Sequence, residues 1–236
     1  MQNITGKTAL ITGGSKGIGY GIAESLLKEG MNVAITGRNP ATVEAAADEL
    51  STYGKVLAIT ADVRDFASQQ SAVSKVLATF GSLDVMVANA GVGHFANIAD
   101  LTPEEWQETI DTNLTGVFYS VKASLEALTA TKGYLITIAS LAGTNFFPSA
   151  SAYNASKFGL VGFTQAVMLD VRDRGIKVTT IMPGSVATHF NNHTPSDADA
   201  WKIQPEDIGQ MTVDLLRMNP RTLPSKVEVR PAQVGK

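Results

Sequence analysis

Seven short apolar runs rich in β-branched residues punctuate the chain: TALIT (8–12), NVAIT (32–36), KVLAIT (55–60), LDVMVAN (83–89), GYLITIAS (133–140), KVTTIMP (177–183) and KVEVRP (226–231). Most are apolar at consecutive positions, the pattern of a strand covered by helices on both faces. Between them the apolar residues fall at helical period, near 17–30, 40–52, 65–80, 103–130, 151–174 and 205–218. Asn39 before Pro40, and Thr102 before Pro103 with Glu104 and Glu105 in the first turn, mark two helix starts. This alternation predicts an α/β fold, a doubly wound parallel sheet with helices on both faces. Its ligand crevice would lie at the carboxyl ends of the strands. No linker, low-complexity stretch or longer repeat interrupts it, so residues 1–236 are expected to form one domain.

Composition narrows the function classes. The 236 residues are 44% hydrophobic and 17% charged, enough apolar material for a sizeable core. A net charge of −3 gives no basic surplus, so nucleic acid is not an expected partner. The absence of cysteine excludes disulfides, thiolate metal ligands and a cysteine nucleophile. The N-terminus runs directly into a short apolar strand without a basic and then long apolar leader, and no stretch reaches the ~18 apolar residues of a membrane span. A cytoplasmic protein without a membrane partner is expected. The sequons NIT, NLT and NHT then read as chance.

The first candidate site follows the first strand. In ITGGSKGIGYGIAESL, Gly13, Gly17 and Gly19 sit between a predicted strand and a predicted helix. Glycines there allow a tight turn and close approach of backbone to a pyrophosphate, and the helix N-terminus supplies amides and a favourable dipole. The turn, with Ser15, Lys16 and Ile18, is a candidate dinucleotide site. An acid at the end of the second strand would hold the ribose 2′-hydroxyl of NAD. Here that end reads Thr36-Gly37-Arg38-Asn39. Arg38, with Lys16, could instead pair with a 2′-phosphate, which predicts NADP(H) as cofactor; two solvated surface cations would look the same. Asp62, beside Val63 after the third strand, could accept from the adenine amino group or simply cap a helix.

The second candidate is YNASK, where Tyr153 and Lys157 are four residues apart and share one helix face. A phenol titrates near 10, so a nearby ammonium would favour the phenolate and match the group better to neutral pH.

Taken with TGGSKGIG (12–19), NAG (89–91), DTNLTG (111–116), IAS (138–140) and PGSVAT (183–188), this segment resembles the compact branch of the short-chain dehydrogenase/reductase family, over about residues 5–190. Within it the chain is most similar to carbonyl reductases and 3-ketoacyl-carrier-protein reductases. The resemblance implies a Rossmann fold and a catalytic set of Asn113, Ser140, Tyr153 and Lys157. Ser140 would bind a substrate carbonyl, Tyr153 would give it a proton, Lys157 would support Tyr153 and hold the nicotinamide ribose, and Asn113 would anchor a relay water. The resemblance also places Asn89, Ala90 and Gly91 beside the cofactor, and Pro183, Gly184, Val186 and Thr188 at its carboxamide end.

Substrate identity is less legible. Phe95, Phe146, Phe147 and Phe190 could line an apolar pocket or belong to the core, and residues 189–204 form a short substrate loop. His189 and His193 have zinc-pair spacing, but no third ligand is evident and no metal is expected. Ala88 replaces the first asparagine of the commoner N-N-A-G, and VEVRPAQ lacks the glycine-rich ending of many relatives. A reductase acting on a small-molecule ketone or aldehyde is the leading reading. An NADP-linked alcohol or sugar dehydrogenase working oxidatively, or a non-catalytic NADP(H)-binding sensor, remain open. Helix 151–174 is apolar around much of its circumference, and the family pairs helices 103–130 and 151–174 across two-fold axes, so a homodimer or homotetramer is expected.

Overall fold

A computed structural model of the chain describes residues 2–233; Met1 and residues 234–236 of the expected single unit lie outside them. The seven runs form strands β1 (Thr8–Thr12), β2 (Asn32–Gly37), β3 (Val56–Thr60), β4 (Val85–Ala88), β5 (Tyr134–Ile138), β6 (Lys177–Pro183) and β7 (Lys226–Val229). They make one parallel sheet in the order β3-β2-β1-β4-β5-β6-β7. The chain winds outward from β1 to β3, then returns to place β4 on the other side of β1. The switch point between β1 and β4 is where such a sheet opens a crevice.

Successive side chains of a strand point to opposite faces, and here both faces are covered. Ile11, Ile35, Val87 and Ile136 pack under α1 (Gly17–Lys28), α2 (Pro40–Leu50) and α7 (Pro205–Arg217). Leu10, Ala34, Met86 and Leu135 pack under α3 (Phe66–Phe80), α5 (Gly116–Thr131) and α6 (Ser151–Val171). Each such buried aliphatic side chain contributes about 1.5–3 kcal/mol, so the consecutive apolar runs hold the sheet between two helical layers.

The expected helix 103–130 is not uniform. It runs as α4 (Pro103–Ile110), a π-helical turn over Asp111–Thr115, then α5. The wider turn inserts one extra residue, a feature common at functional sites. It carries Asn113 inward, where its side chain is fully buried and bonded to the loop after β4. The stretch 151–174 ends its α-helix at Val171 and closes with a 3-10 turn before Gly175, which has a φ of 79°. Thr102 caps α4 in a capping box with Glu105, and Asn39 caps α2, as their sequences imply. Among the described residues, no helix is long and apolar enough to cross a membrane.

Candidate active site

A cavity of about 1190 Å³ opens at the carboxyl ends of the strands. That exceeds the ~300–1,000 Å³ of an ordinary small-ligand pocket, leaving room for a large ligand and a second molecule beside it. One end is built from backbone. Gly13 and Gly17 have φ of 65° and 58°, a region side chains disfavour. A Cβ on Gly19 would stand 2.4 Å from the Gly13 carbonyl oxygen, so only glycine fits there. Asn89 ties this turn to β4: its amide donates to the carbonyls of Thr12 (2.9 Å) and Gly13 (3.0 Å). Thr12 Oγ1 accepts from the backbone N–H groups of Asn89 and Ala90. The turn is therefore held by buried hydrogen bonds and leaves its open side to the cavity.

This end fits a nucleotide on one observation. No side chain caps the first turn of α1, so its amides lack a side-chain acceptor and suit an anion.

Of the expected cofactor residues, Gly13, Ser15, Lys16, Gly17, Ile18, Arg38, Asp62, Val63, Asn89, Ala90, Gly91, Pro183, Gly184, Val186 and Thr188 line this cavity. Gly19 does not; it packs against Gly13 from behind. At the cavity wall Arg64 grips the Asp62 carboxylate, with Nη2 to Oδ2 at 2.7 Å and Nε 3.1 Å from each oxygen. The Arg64 hydrogen bonds hold the Asp62 carboxyl below its ordinary range, against the opposing effect of burial. The cap of α3 is Asp65, not Asp62. Arg38 is half exposed at the rim and meets Glu108 of α4 at 3.5 Å. Contact with His94 first, then the charges of Arg38 and Arg64, keeps Glu108 ionised by lowering its pKa. Nothing in the sequence spacing links Arg38 to Glu108; the fold brings them together.

The reacting end is built from side chains, and every polar residue of YNASK has a task. Tyr153 faces the cavity. Asn154 donates to the carbonyls of Ala142 (2.7 Å) and Asn145 (2.8 Å), pinning the loop after Ser140. Ser156 accepts from Asn113 Nδ2 at 3.1 Å and donates to the Tyr153 carbonyl at 2.8 Å. Lys157 is 5% exposed and donates to the Ile138 carbonyl at 3.0 Å. Ser140 Oγ accepts from Ala142 N–H at 3.1 Å, and the hydroxyl lies on the cavity wall. The structure thus brings Ser140, Tyr153 and Lys157 together at the cavity. Asn113 stands one layer behind: both its amide hydrogens go to Val92 and Ser156 and its oxygen accepts from Val92 N–H, so its visible role is to brace the β4 loop and α6.

The electrostatics correct one expectation. Burial pushes the Tyr153 phenol above its ordinary value, with the neighbouring Ser140 hydroxyl acting the other way. Burial also lowers Lys157, from 10.5 to about 8. Its Nζ stands 5.6 Å from the Tyr153 ring centre and points its bond at Ile138. In the free protein desolvation sets the direction for both groups, and the phenol is kept protonated rather than made more acidic.

Around Tyr153 the wall is aromatic. Phe95 and Phe190 lie 5.3 and 5.7 Å from its ring, and Phe147 lies 6.1 Å from Phe95. Phe146 does not join them; it is 82% exposed and stacks on Phe158 outside the cavity. In the substrate loop His193 is taken by Asp199 at 2.6 Å, with Lys202 on the other carboxylate oxygen at 2.6 Å. Trp201, Lys202, Arg230 and Gln233 also border the cavity. Trp201 and Lys202 belong to the expected substrate loop; Arg230 and Gln233 were not anticipated, because only the edge strand β7 brings residues so far along the chain back to the site.

Comparison with known proteins places the chain. The profile of the short chain dehydrogenase family matches residues 7–199, and the chain belongs to that family. It is 37% identical over 211 residues to the 3-oxoacyl-[acyl-carrier-protein] reductase FabG of Escherichia coli, covering 89% of this chain and 86% of FabG. It is 32% identical over 240 residues to the glycine betaine reductase ATRR of Emericella nidulans, covering 97% of this chain but only 19% of that protein. The structure of an alcohol dehydrogenase from Thermococcus sibiricus, complexed with 5-hydroxy-NADP, superposes with a TM-score of 0.91 at 29% identity, covering 98% of this chain and 99% of the other. Further solved relatives are complexes with NADP and with NADH.

Proposed function

We propose that the protein is an NADP(H)-linked reductase of ketones or aldehydes whose carbonyl carries an apolar flank. The observation that carries this reading is the meeting, at one cavity wall, of a protonated phenol, a serine hydroxyl and three phenylalanine rings. Ser140 holds the substrate oxygen and Tyr153 donates its proton there, general acid catalysis of the kind that contributes about 10²–10⁴-fold. The cofactor supplies the hydride that reaches the carbonyl carbon. Lys157 faces the phenolate left behind, an anion whose burial would otherwise be costly. Phe95, Phe147 and Phe190 exclude water and pack the apolar part of the substrate.

The preference for NADPH rests on Arg38 and Lys16 at the adenosine end and on Gly37 standing where an acid would bind the 2′-hydroxyl. A homo-oligomer is supported by the outer sides of α5 and α6, where Phe118 (45%), Phe158 (40%) and Leu169 (56%) are each exposed. An apolar face of this kind is covered in a homo-oligomer; a monomer in sedimentation at micromolar concentration would count against it. The reading as a whole is tested by following NADPH oxidation with aryl and alkyl ketones, aldehydes and sugars. Aryl or alkyl ketones should give the highest kcat/KM, and NADPH should outperform NADH. Faster turnover of sugars would overturn the substrate class.

A further inference from the structure

Glu108 stands outside the cavity lining, yet it holds the residue assigned to the cofactor phosphate. Its Oε1 lies 3.5 Å from Arg38 Nη1 and 3.7 Å from Arg64 Nη1, while its Oε2 lies 2.9 Å from His94 Nε2. Two guanidinium groups, one after β2 and one after β3, therefore converge on a single carboxylate oxygen that α4 supplies. Arg64 is also engaged by Asp62 at 2.7 Å. Arg38 pairs with no other acid among the described residues.

We propose that Glu108 is a built-in competitor for Arg38, and that it limits how strongly the chain prefers the 2′-phosphorylated cofactor. The proposal rests on the reading of Arg38 as the phosphate partner. A phosphate and a carboxylate seek the same guanidinium edge, so Arg38 must loosen its hold on Glu108 to grip a 2′-phosphate. His94 and Arg64 keep Glu108 neutralised and in place when that happens, which makes the exchange reversible. A cofactor with a free 2′-hydroxyl makes no such demand, and its binding is indifferent to the pair. The carboxylate that tempers cofactor choice thus comes from α4, although the end of β2 carries none. Because the pair is exposed and screened by solvent, its effect is a few-fold and weakens with salt.

The experiment is calorimetric titration of the cofactor-free protein with 2′,5′-ADP and with 5′-AMP, in wild type, Glu108→Gln, Glu108→Ala and Arg38→Ala. Glu108→Gln should tighten 2′,5′-ADP about three- to fivefold, a range set by the small contribution of exposed ion pairs. 5′-AMP should stay within about twofold, and Glu108→Ala should repeat this pattern. Arg38→Ala should abolish most of the discrimination between the two nucleotides. If Arg38→Ala does so while both Glu108 variants leave the ratio unchanged, the competitor role is overturned and the phosphate site stands. If Arg38→Ala leaves the ratio unchanged, the phosphate assignment itself fails.

Discussion

The two ends of the cavity are made differently. At the adenosine end the wall is backbone: Gly13, Gly17 and Gly19 shape it, and Thr12 and Asn89 fasten it through buried hydrogen bonds. At the reacting end the wall is side chains: a phenol, an amine and three phenylalanines, presented by α6 and by loops after β4, β5 and β6. A backbone wall tolerates few substitutions but can take any ligand bearing a phosphate. A side-chain wall can be changed one residue at a time, so chemistry and substrate choice sit there, while Arg38 and Lys16 add side chains for cofactor choice at the adenosine end. If this division holds, substitutions of Tyr153 or Phe190 should alter turnover or substrate choice while leaving nucleotide binding nearly untouched, and Lys157, expected to hold the nicotinamide ribose, is the one residue that serves both ends.

The largest effect should come from Tyr153→Phe. Only the hydroxyl is lost, and the ring still packs against Phe95 and Phe190. Ketone reduction should fall by about 10²–10⁴-fold, the usual contribution of a general acid. The NADPH dissociation constant, read by fluorescence, should stay within a few-fold. Wild-type turnover in this variant would show that Tyr153 is only part of the wall.

Lys157 gives the next largest effect, and it appears in stability. In the unfolded chain this lysine titrates near 10.5, and in the fold near 8, because burial disfavours the ammonium. Below pH 8 the fold carries the whole penalty. Between pH 8 and 10.5 the unfolded chain binds the extra proton, so stability rises with pH, and above 10.5 the penalty is gone. A shift of this size corresponds to at most about 3 kcal/mol, and losing the bond to the Ile138 carbonyl returns about 1 kcal/mol of it. Lys157→Met should therefore stabilise the cofactor-free protein at pH 7 by about 1–2 kcal/mol, roughly 4 °C in Tm for a chain of this size, while lowering turnover by less than Tyr153→Phe does. The rise in stability between pH 8 and 10.5 should vanish with it. An unchanged pH profile would mean that the buried amine is not a destabilising cation. A catalytic group held at a cost to the fold is the expected trade between stability and function.

The same division explains what could be read from the sequence. Strands and helices were legible because each run, such as TALIT or PATVEAAADEL, carries its own period and caps. The backbone-built end was legible because turn glycines stand close together in the chain. Tyr153, Ser140 and Lys157 were legible through the order of several short motifs. The π-helical turn at Asn113 was not, since its cause is the long-range bond to Val92 and Ser156. Nor were the Glu108 contact with Arg38 or the approach of Arg230 to the cavity, which join positions far apart in sequence. The direction of the Tyr153 shift was misjudged for a related reason: helix spacing shows the nearby amine but not the desolvation that the folded core imposes on both groups.

The smallest effect should come from Phe190→Ala, and it sharpens the comparison most. Phe190 belongs to the substrate loop, is 37% exposed, and reaches over Gly93, where a Cβ would meet its ring at 2.5 Å. It lies 5.7 Å from Tyr153 and 6.2 Å from Phe95, so it completes the aromatic wall beside both rings. A substrate covering about 40–50 Å² of the ring would gain roughly 1 kcal/mol at about 25 cal/mol per Å². Truncation should thus raise KM for an aryl ketone about fivefold. The bond-making groups are untouched, so kcat should change less than twofold. Neither the glycine turn nor Arg38 meets this ring, so NADPH affinity should hold, and small aliphatic ketones that do not reach Phe190 should keep their KM. A rise in KM for every substrate, together with weaker NADPH binding, would mean that Phe190 holds the loop in place rather than the substrate. The two ends of the cavity would then be one mechanical unit.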